Sequence, residues 1–490
     1  MGADMHQKVA PEPIFDHVRG PAKRLGRLPF GRLRLWWKYA WIRMRAPWPG
    51  WLRSVRAISE ALSSYYWVLS RLPWRALPKR LLDLLRASRY TTHPQLRRLI
   101  RRAVAPYLAG PGSSIWRREQ IGLARYQSLG DLRRKELTCS LVLKEPGPNG
   151  EKGVLYSSFE YNWMRLLRHY DAARFLSEYY LVGASSGSPV DCVPFAHFAG
   201  LARSPIFIGI SNFGDIPICR LYSPVIEPVE IMACDWADPA DYRPKPHSDR
   251  RIDILMVANW LPVKRHWLLF EALREMPRDL RVVLVGRSGG GGRTEERIRE
   301  ECNAFGAKQD IAIYSEIPPE GVRELQCDAR ISLLFSYREG SCVAPVESML
   351  ADSPVGMMSD AHIGSKAYVN EWTGVILKRR GLARSLMEFL DRSSTFRARE
   401  WALDHITCHH STRKLNQQLS RHAAKSGTPW TRDIVPMCWR YVPACIYPED
   451  EGRTRAGAER LWREYGIPVP RPAYQKGIGT IWISPGEPNW

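Results

Sequence analysis

No stretch of this chain approaches the roughly 18 uninterrupted apolar residues that a membrane-crossing helix requires. The ten cysteines contain no Cys-x-x-Cys pair, which sets aside the usual zinc-ribbon and thiol-redox motifs and suits a reducing compartment. The first residues have no apolar signal core and carry Asp4, Glu12 and Asp16, so the expected location is cytoplasmic. The glycine-rich turn Gly286-Arg287-Ser288-Gly289-Gly290-Gly291-Gly292-Arg293 lacks Gly-Lys-Ser/Thr, which excludes a P-loop there. What remains is a globular composition: 490 residues, 44% hydrophobic and 25% charged. That length implies about two to four domains and cores that need no disulfide or metal to hold them.

Acidic residues are scarce at the front. Residues 1–140 hold 28 Lys and Arg against 8 Asp and Glu, a net of +20 out of the chain's +22. Eight of the 19 tryptophans fall in the same section, at Trp36, Trp37, Trp41, Trp48, Trp51, Trp67, Trp74 and Trp116. Long cationic side chains reach lipid phosphates while indole favours the headgroup layer, so an anionic membrane surface is the partner this pattern favours. A basic helical surface packed on the protein body comes second. Nucleic acid, which would be held by phosphate contacts and base stacking, comes last. Apolar positions Leu52, Val55, Ile58, Leu62, Tyr65, Leu69 and Leu72 predict one amphipathic helix, and a second is expected from Pro94. Residues 1–130 are thus expected to form a Trp- and Arg-rich helical extension, able to make the protein peripheral on the cytoplasmic membrane face.

The texture then changes to short apolar runs separated by turns and helices. Leu137–Leu143, Gly153–Ser158, Tyr179–Gly183, Pro205–Ile210 and Pro228–Ala233 read as strands, with a helix over Tyr161–Leu176. Asp235–Arg251 reads as a linker. Ile252–Val257, Arg281–Gly286, Ile311–Tyr314, Ala329–Phe335 and Ser353–Met358 are further strands, alternating with helices at Trp267–Glu275, Thr294–Phe305, Glu320–Gln326 and Val343–Ala351. Strands alternating with helices predict an α/β fold of two Rossmann-like domains, 131–245 and 246–415, followed by a C-terminal extension, 416–490. In such open sheets ligands bind beyond the carboxyl ends of strands.

Three turns at those ends carry chemistry. Asn259-Trp260-Leu261-Pro262-Val263-Lys264-Arg265 offers a lysine, a compact charge that suits phosphate. The glycine turn permits close backbone approach at Gly286, with Arg287 and Arg293 as cations, and a functionless loop is an equal reading of it. The third is Ser336-Tyr337-Arg338-Glu339-Gly340-Ser341-Cys342-Val343-Ala344-Pro345-Val346-Glu347. Ser341 is expected to cap the following helix, with Pro345 in its first turn. The amides of Gly340, Ser341, Cys342 and Val343 would then face a diphosphate. Glu339 would accept from sugar hydroxyls and Glu347 from a ribose diol.

With these residues in hand, Arg251–Leu415 resembles the nucleotide-sugar domain of the retaining GT-B glycosyltransferases of group 1. The resemblance rests on four motifs in order: Ala258-Asn259 with Lys264, Glu339-x7-Glu347, Asp352-Ser353-Pro354-Val355, and Trp372-Thr373-Gly374-Val375-Ile376-Leu377. Asn259 stands where the family has a phosphate-binding arginine, a lost charge that Arg265 is expected to replace. The resemblance implies transfer of a sugar from a nucleoside diphosphate sugar to a glycan or lipid-linked acceptor, with retained configuration. It implies surface polysaccharide or glycolipid synthesis, with Glu339 and Lys264 catalytic, and no metal or cofactor. The run His405-x-x-Cys408-His409-His410 accordingly reads as incidental rather than metal-binding. Glu160, His169, His197, the turn Ser211–Asp215 and the loop Asn149–Gly153 are weaker candidates on the acceptor side. The alternative is a non-catalytic protein that binds a nucleotide sugar or serves as a scaffold.

Overall fold

The computed structural model describes residues 133–185, 192, 194, 195, 198, 201–222, 225–288, 294–440, 442–475 and 479–483, with Leu99 and Arg102. Apart from those last two exposed helical residues, the basic front and both its expected helices lie outside the described residues. Among the described residues, no helix is long and apolar enough to cross a membrane.

The first sheet has five strands in the order β1 (Ser140–Lys144), β2 (Gly153–Ser158), β3 (Tyr179–Ala184), β4 (Ile206–Ile210) and β5 (Ile226–Met232). β1 is antiparallel to β2 and all other pairs are parallel. β3 and β4 read as continuous apolar runs because both of their faces are covered. In β3 the period of two sends Tyr179 and Leu181 into one core and Tyr180 and Val182 into the other. The single helix expected over Tyr161–Leu176 is two, α1 (Glu160–His169) and α2 (Ala172–Glu178). Tyr170 is extended between them, and the Asp171 side chain restarts the helix by accepting from the Arg174 amide. α3 (Ile216–Tyr222) leads into β5.

The second sheet is wholly parallel, with six strands: β6 (Ile252–Val257), β7 (Val282–Gly286), β8 (Ile311–Ser315), β9 (Ala329–Leu334), β10 (Val355–Met358) and β11 (Gly374–Leu377). Their order across the sheet is β11-β10-β9-β6-β7-β8. The chain therefore runs outward from β6 to β8, returns, and runs the other way from β9. That reversal opens a crevice between the carboxyl ends of β6 and β9, where doubly wound sheets bind ligands. The connecting helices are α4 (His266–Leu273), α5 (Glu295–Phe305), α6 (Pro319–Cys327), α7 (Ala344–Leu350) and α8 (Leu382–Asp391), followed by α9 (Ala398–His405).

The chain then returns to the first sheet. α10 (Cys408–Lys425) starts at Thr407, whose hydroxyl accepts from the His410 amide, and buries Leu415 and Leu419 against Tyr156, Tyr180, Phe207 and Val229. Each such leucine contributes about 1.5–3 kcal/mol of burial. On the opposite face α11 (Glu451–Tyr465) places Leu461 beside Trp163, Phe175 and Tyr179. Gly457 lets α11 approach β1 closely, since a Cβ there would lie 2.6 Å from Val142. The boundary expected at residue 415 thus falls within α10, and the C-terminal extension closes both cores of the first sheet. Sequence periodicity marks an apolar face but not the sheet that receives it. Two hairpins complete the described chain, β12 (Met437–Trp439) with β13 (Pro443–Cys445), and β14 (Arg471–Gln475) with β15 (Gly479–Ile483).

Candidate functional site

The loop after β6 folds into a one-turn helix over Pro262–Lys264 and then takes Arg265 into the left-handed region, φ 55°. That reversal starts α4 and aims the Lys264 side chain at the loop that follows β9. There Lys264 Nζ lies 2.6 Å from Glu339 Oε2, with both side chains largely shielded from water. The two loops are also joined through backbone, the Tyr337 amide donating to the Val263 carbonyl at 2.9 Å. A cation and a carboxylate far apart in sequence thus meet at the point where the strand order reverses.

The loop holding Glu339 is itself fixed by residues after β10. The Glu339 amide donates to the His362 carbonyl at 3.1 Å, and the Gly364 and Ser365 amides donate to the carbonyls of Gly340 and Ser341. Cys342 follows with φ 54°. Its buried thiol has a raised pKa, from burial first and the neighbouring Glu339 charge second, and so stays protonated.

Several expected roles fall differently. The helix opens at Ala344 with Val343 as its cap, and no side chain caps it. Ser341 is instead buried, its hydroxyl hydrogen-bonding the Cys234 thiol from the first sheet's side. Pro345 does occupy the first turn. The Val346 and Glu347 amides both fold back on the Val343 carbonyl. Glu347, expected to accept from a ribose diol, has protein partners on two other elements. Gln326 near the end of α6 donates to it at 3.4 Å, Tyr242 of the linker hydrogen-bonds it, and burial pushes its carboxyl up.

Arg265 is not available as a substitute phosphate cation. Its guanidinium is buried, donates to the Phe335 and Ser336 carbonyls, and forms a two-point pair with Asp360 at 2.8 and 3.0 Å. The fork geometry of arginine suits this bracing of the β9 loop. Asn259 is half-buried, and its side-chain oxygen accepts from the Leu261 amide at 3.3 Å, which shapes the turn. Arg287 is exposed, with its carbonyl accepting from the Trp260 amide. Residues 289–293 and His197 lie outside the described residues.

Gly286 is required by packing. A Cβ there would sit 2.4 Å from the Ala258 carbonyl oxygen and 2.7 Å from the Trp260 ring, which is fully buried. Gly286→Ala is therefore expected to destabilise the second sheet by about 1–3 kcal/mol, the usual overpacking cost. A thermal midpoint indistinguishable from the parent's would show that the Trp260 contact yields.

Sequence reasoning missed the groups that join the two halves. Asp235, read as linker, is buried in the turn after β5, and the Tyr368 hydroxyl donates to its two oxygens at 2.8 and 2.9 Å. Burial raises its pKa against the Met232 amide and Tyr368. Gly364 presses on the first sheet's Ser211, where a Cβ would overlap the carbonyl oxygen. The Ser211–Asp215 turn, with the Ser211 hydroxyl donating to Asp215 at 2.8 Å, thus faces the loop after β10. Nothing in the sequence signals contacts between residues 133 positions apart. Of the other acceptor-side candidates, Glu160 is buried and His169 half-buried on α1.

Two Rossmann-like sheets, one doubly wound with a charged pair at its reversal point, give an α/β fold of the GT-B type. Residues 239–399 match the family described as "Glycosyl transferases group 1". This match over about a third of the chain supports a nucleotide-sugar-dependent glycosyltransferase. Among solved structures, the chain is similar to sucrose-phosphate synthase from Thermosynechococcus elongatus, with 15% identity, 56% of this chain and 74% of that one covered, and a TM-score of 0.43. It is also similar to HepE from Anabaena in complex with UDP-glucose, with 14% identity, 55% and 78% covered, and a TM-score of 0.43. TarM from S. aureus gives 11% identity, 54% of each chain covered and a TM-score of 0.42. No curated protein matches.

Proposed function

We propose that this chain transfers a sugar from a nucleoside diphosphate sugar to a glycan or lipid-linked acceptor, with retained anomeric configuration, in the synthesis of a surface polysaccharide or glycolipid. The observation that carries the reading is the Lys264–Glu339 pair, 2.6 Å apart, at the reversal of the second sheet. As the glycosidic bond to the leaving diphosphate breaks, negative charge grows on its oxygens. An ammonium held ready in a site shielded from water stabilises that charge more than the ground state. Glu339 holds Lys264 in place and presents carboxylate oxygens to the hydroxyls of the transferred sugar. Amides from Gly340 to Val343 lie beside the pair on a backbone braced by Gly364 and Ser365.

The full-length protein, screened against UDP-, GDP- and ADP-sugars by thermal shift, is expected to gain stability with one of them. That nucleotide should then be consumed in the presence of extracted lipid or glycan, and NMR of the product should show the donor's anomeric configuration. Binding without transfer to any acceptor would favour the non-catalytic alternative, and inversion would exclude retention. The basic front is read as a mooring to an anionic bilayer. Co-sedimentation should therefore be stronger with anionic than with neutral vesicles and should weaken with salt.

A further inference from the structure

The chain passes between the two sheets twice, and the two passages touch. It leaves the first sheet through the turn Ala233–Trp236 and Asp238, and comes back at Thr407 into α10. The Cys408 amide donates to the Ala237 carbonyl at 3.0 Å. At this junction the ligand atoms of Asp238, Cys408 and His409 all lie within 4.8 Å of one another. Asp238 is 3% exposed and Cys408 fully buried, while His409 is half-buried. We propose that these three residues form a zinc site that fastens the outgoing and returning passages together.

One sulfur, one ring nitrogen and one carboxylate oxygen form a donor set that zinc takes readily. Bonds of about 2.0–2.3 Å in a tetrahedron place ligand atoms roughly 3.3–3.8 Å apart, so small side-chain rotations close the site. The returning passage supplies its two ligands selectively. In the run His405-x-x-Cys408-His409-His410, His405 Nδ1 lies 2.7 Å from the Trp401 carbonyl and His410 Nδ1 lies 2.9 Å from the Thr407 hydroxyl. Those two rings have other partners, and Cys408 and His409 face Asp238.

Arg440 fits this arrangement. Its guanidinium holds Asp238 Oδ2 at 2.7 Å and Asp241 at 3.0 Å, while Asp238 Oδ1 accepts from the Ala240 amide. A carboxylate offers about four acceptor positions, so both contacts leave room for a metal. With Cys408 as a thiolate and Asp238 ionised, the ligands match the charge of the zinc ion. Zinc takes the thiolate, so the Cys408 proton passes to solvent on binding.

The test uses the full chain, dialysed against zinc and then against metal-free buffer, with metal counted by mass spectrometry. About one ion per chain should be retained, and cobalt in its place should give a thiolate-to-metal charge-transfer band. His409→Ala removes a half-buried ring at the start of α10, and is expected to lower retention at least tenfold with unchanged circular dichroism. Cys408→Ser should abolish the cobalt band, and His410→Ala should leave both readouts as in the parent. A folded parent that retains no metal, or a band that survives both Cys408→Ser and His409→Ala, overturns the proposal.

Discussion

Replacing Lys264 with alanine is expected to lower kcat/KM for the sugar nucleotide by about 10²–10³-fold, the size of effect seen when one preorganised donor to a developing anion is removed. The loss should fall on kcat as well as KM, because the charge on the leaving diphosphate grows only as the bond breaks. Lys264→Ala also strands Glu339, so the thermal midpoint must be measured alongside. Glu339→Ala should lower activity comparably, since Lys264 then loses the carboxylate that fixes it. Because the two groups act as a unit, the double variant should cost far less than the product of the two single losses. Two folded single variants with parental turnover would remove the pair from the mechanism.

The alternation of strands and helices was readable because strands buried on both faces have no alternative to continuous apolar runs, as in Ile252–Val257 and Val282–Gly286. The motif turns were readable for the same reason, since each must follow such a run. Contacts that the chain makes only after folding back were not readable. Arg265 looked like a free cation because sequence shows its charge but not Asp360, 95 positions away, nor the carbonyls of Phe335 and Ser336. Spacing shows Glu347 eight positions after Glu339, but not that Gln326 and Tyr242 meet its carboxylate. The glycine of Gly286 suggested phosphate, whereas the buried indole of Trp260 is what needs the space. The same limit explains α10: an amphipathic helix announces that it will be covered, and only the fold says that Tyr156, Tyr180 and Phe207 do the covering.

Glu151→Gln should be the most damaging single change to stability outside the site. Its loop, Asn149–Gly153, is an acceptor-side candidate in sequence, but the Glu151 carboxylate is buried 2.5 Å from the Lys144 ammonium. Lys144 also lies 3.3 Å from the centre of the Trp430 ring, and Thr431 donates to Glu151 through its amide and hydroxyl at 2.7 and 2.6 Å. The pair thus ties β1 and its hairpin loop to the C-terminal segment that closes the first sheet. Removing one partner leaves a buried charge without its counter-ion, which costs about 3–5 kcal/mol, whereas replacing both with apolar residues of similar volume should recover most of that. The effect depends on pH. Burial pushes the Glu151 carboxyl up, but Lys144 and Thr431 outweigh it and hold the pKa at about 2. Burial lowers the Lys144 pKa, yet an amine remains protonated throughout the acid range, so the acid limb belongs to Glu151. A carboxylate depressed on folding stabilises the protein above its unfolded pKa, about 4.3, and that contribution fades as pH falls towards 2. The gap in thermal midpoint between parent and Glu151→Gln should therefore be widest at pH 7 and narrow steadily below about pH 4. A gap that stays constant down to pH 3 would mean that folding leaves the Glu151 pKa unshifted, and a gap that widens as pH falls would mean that the folded carboxyl is neutral.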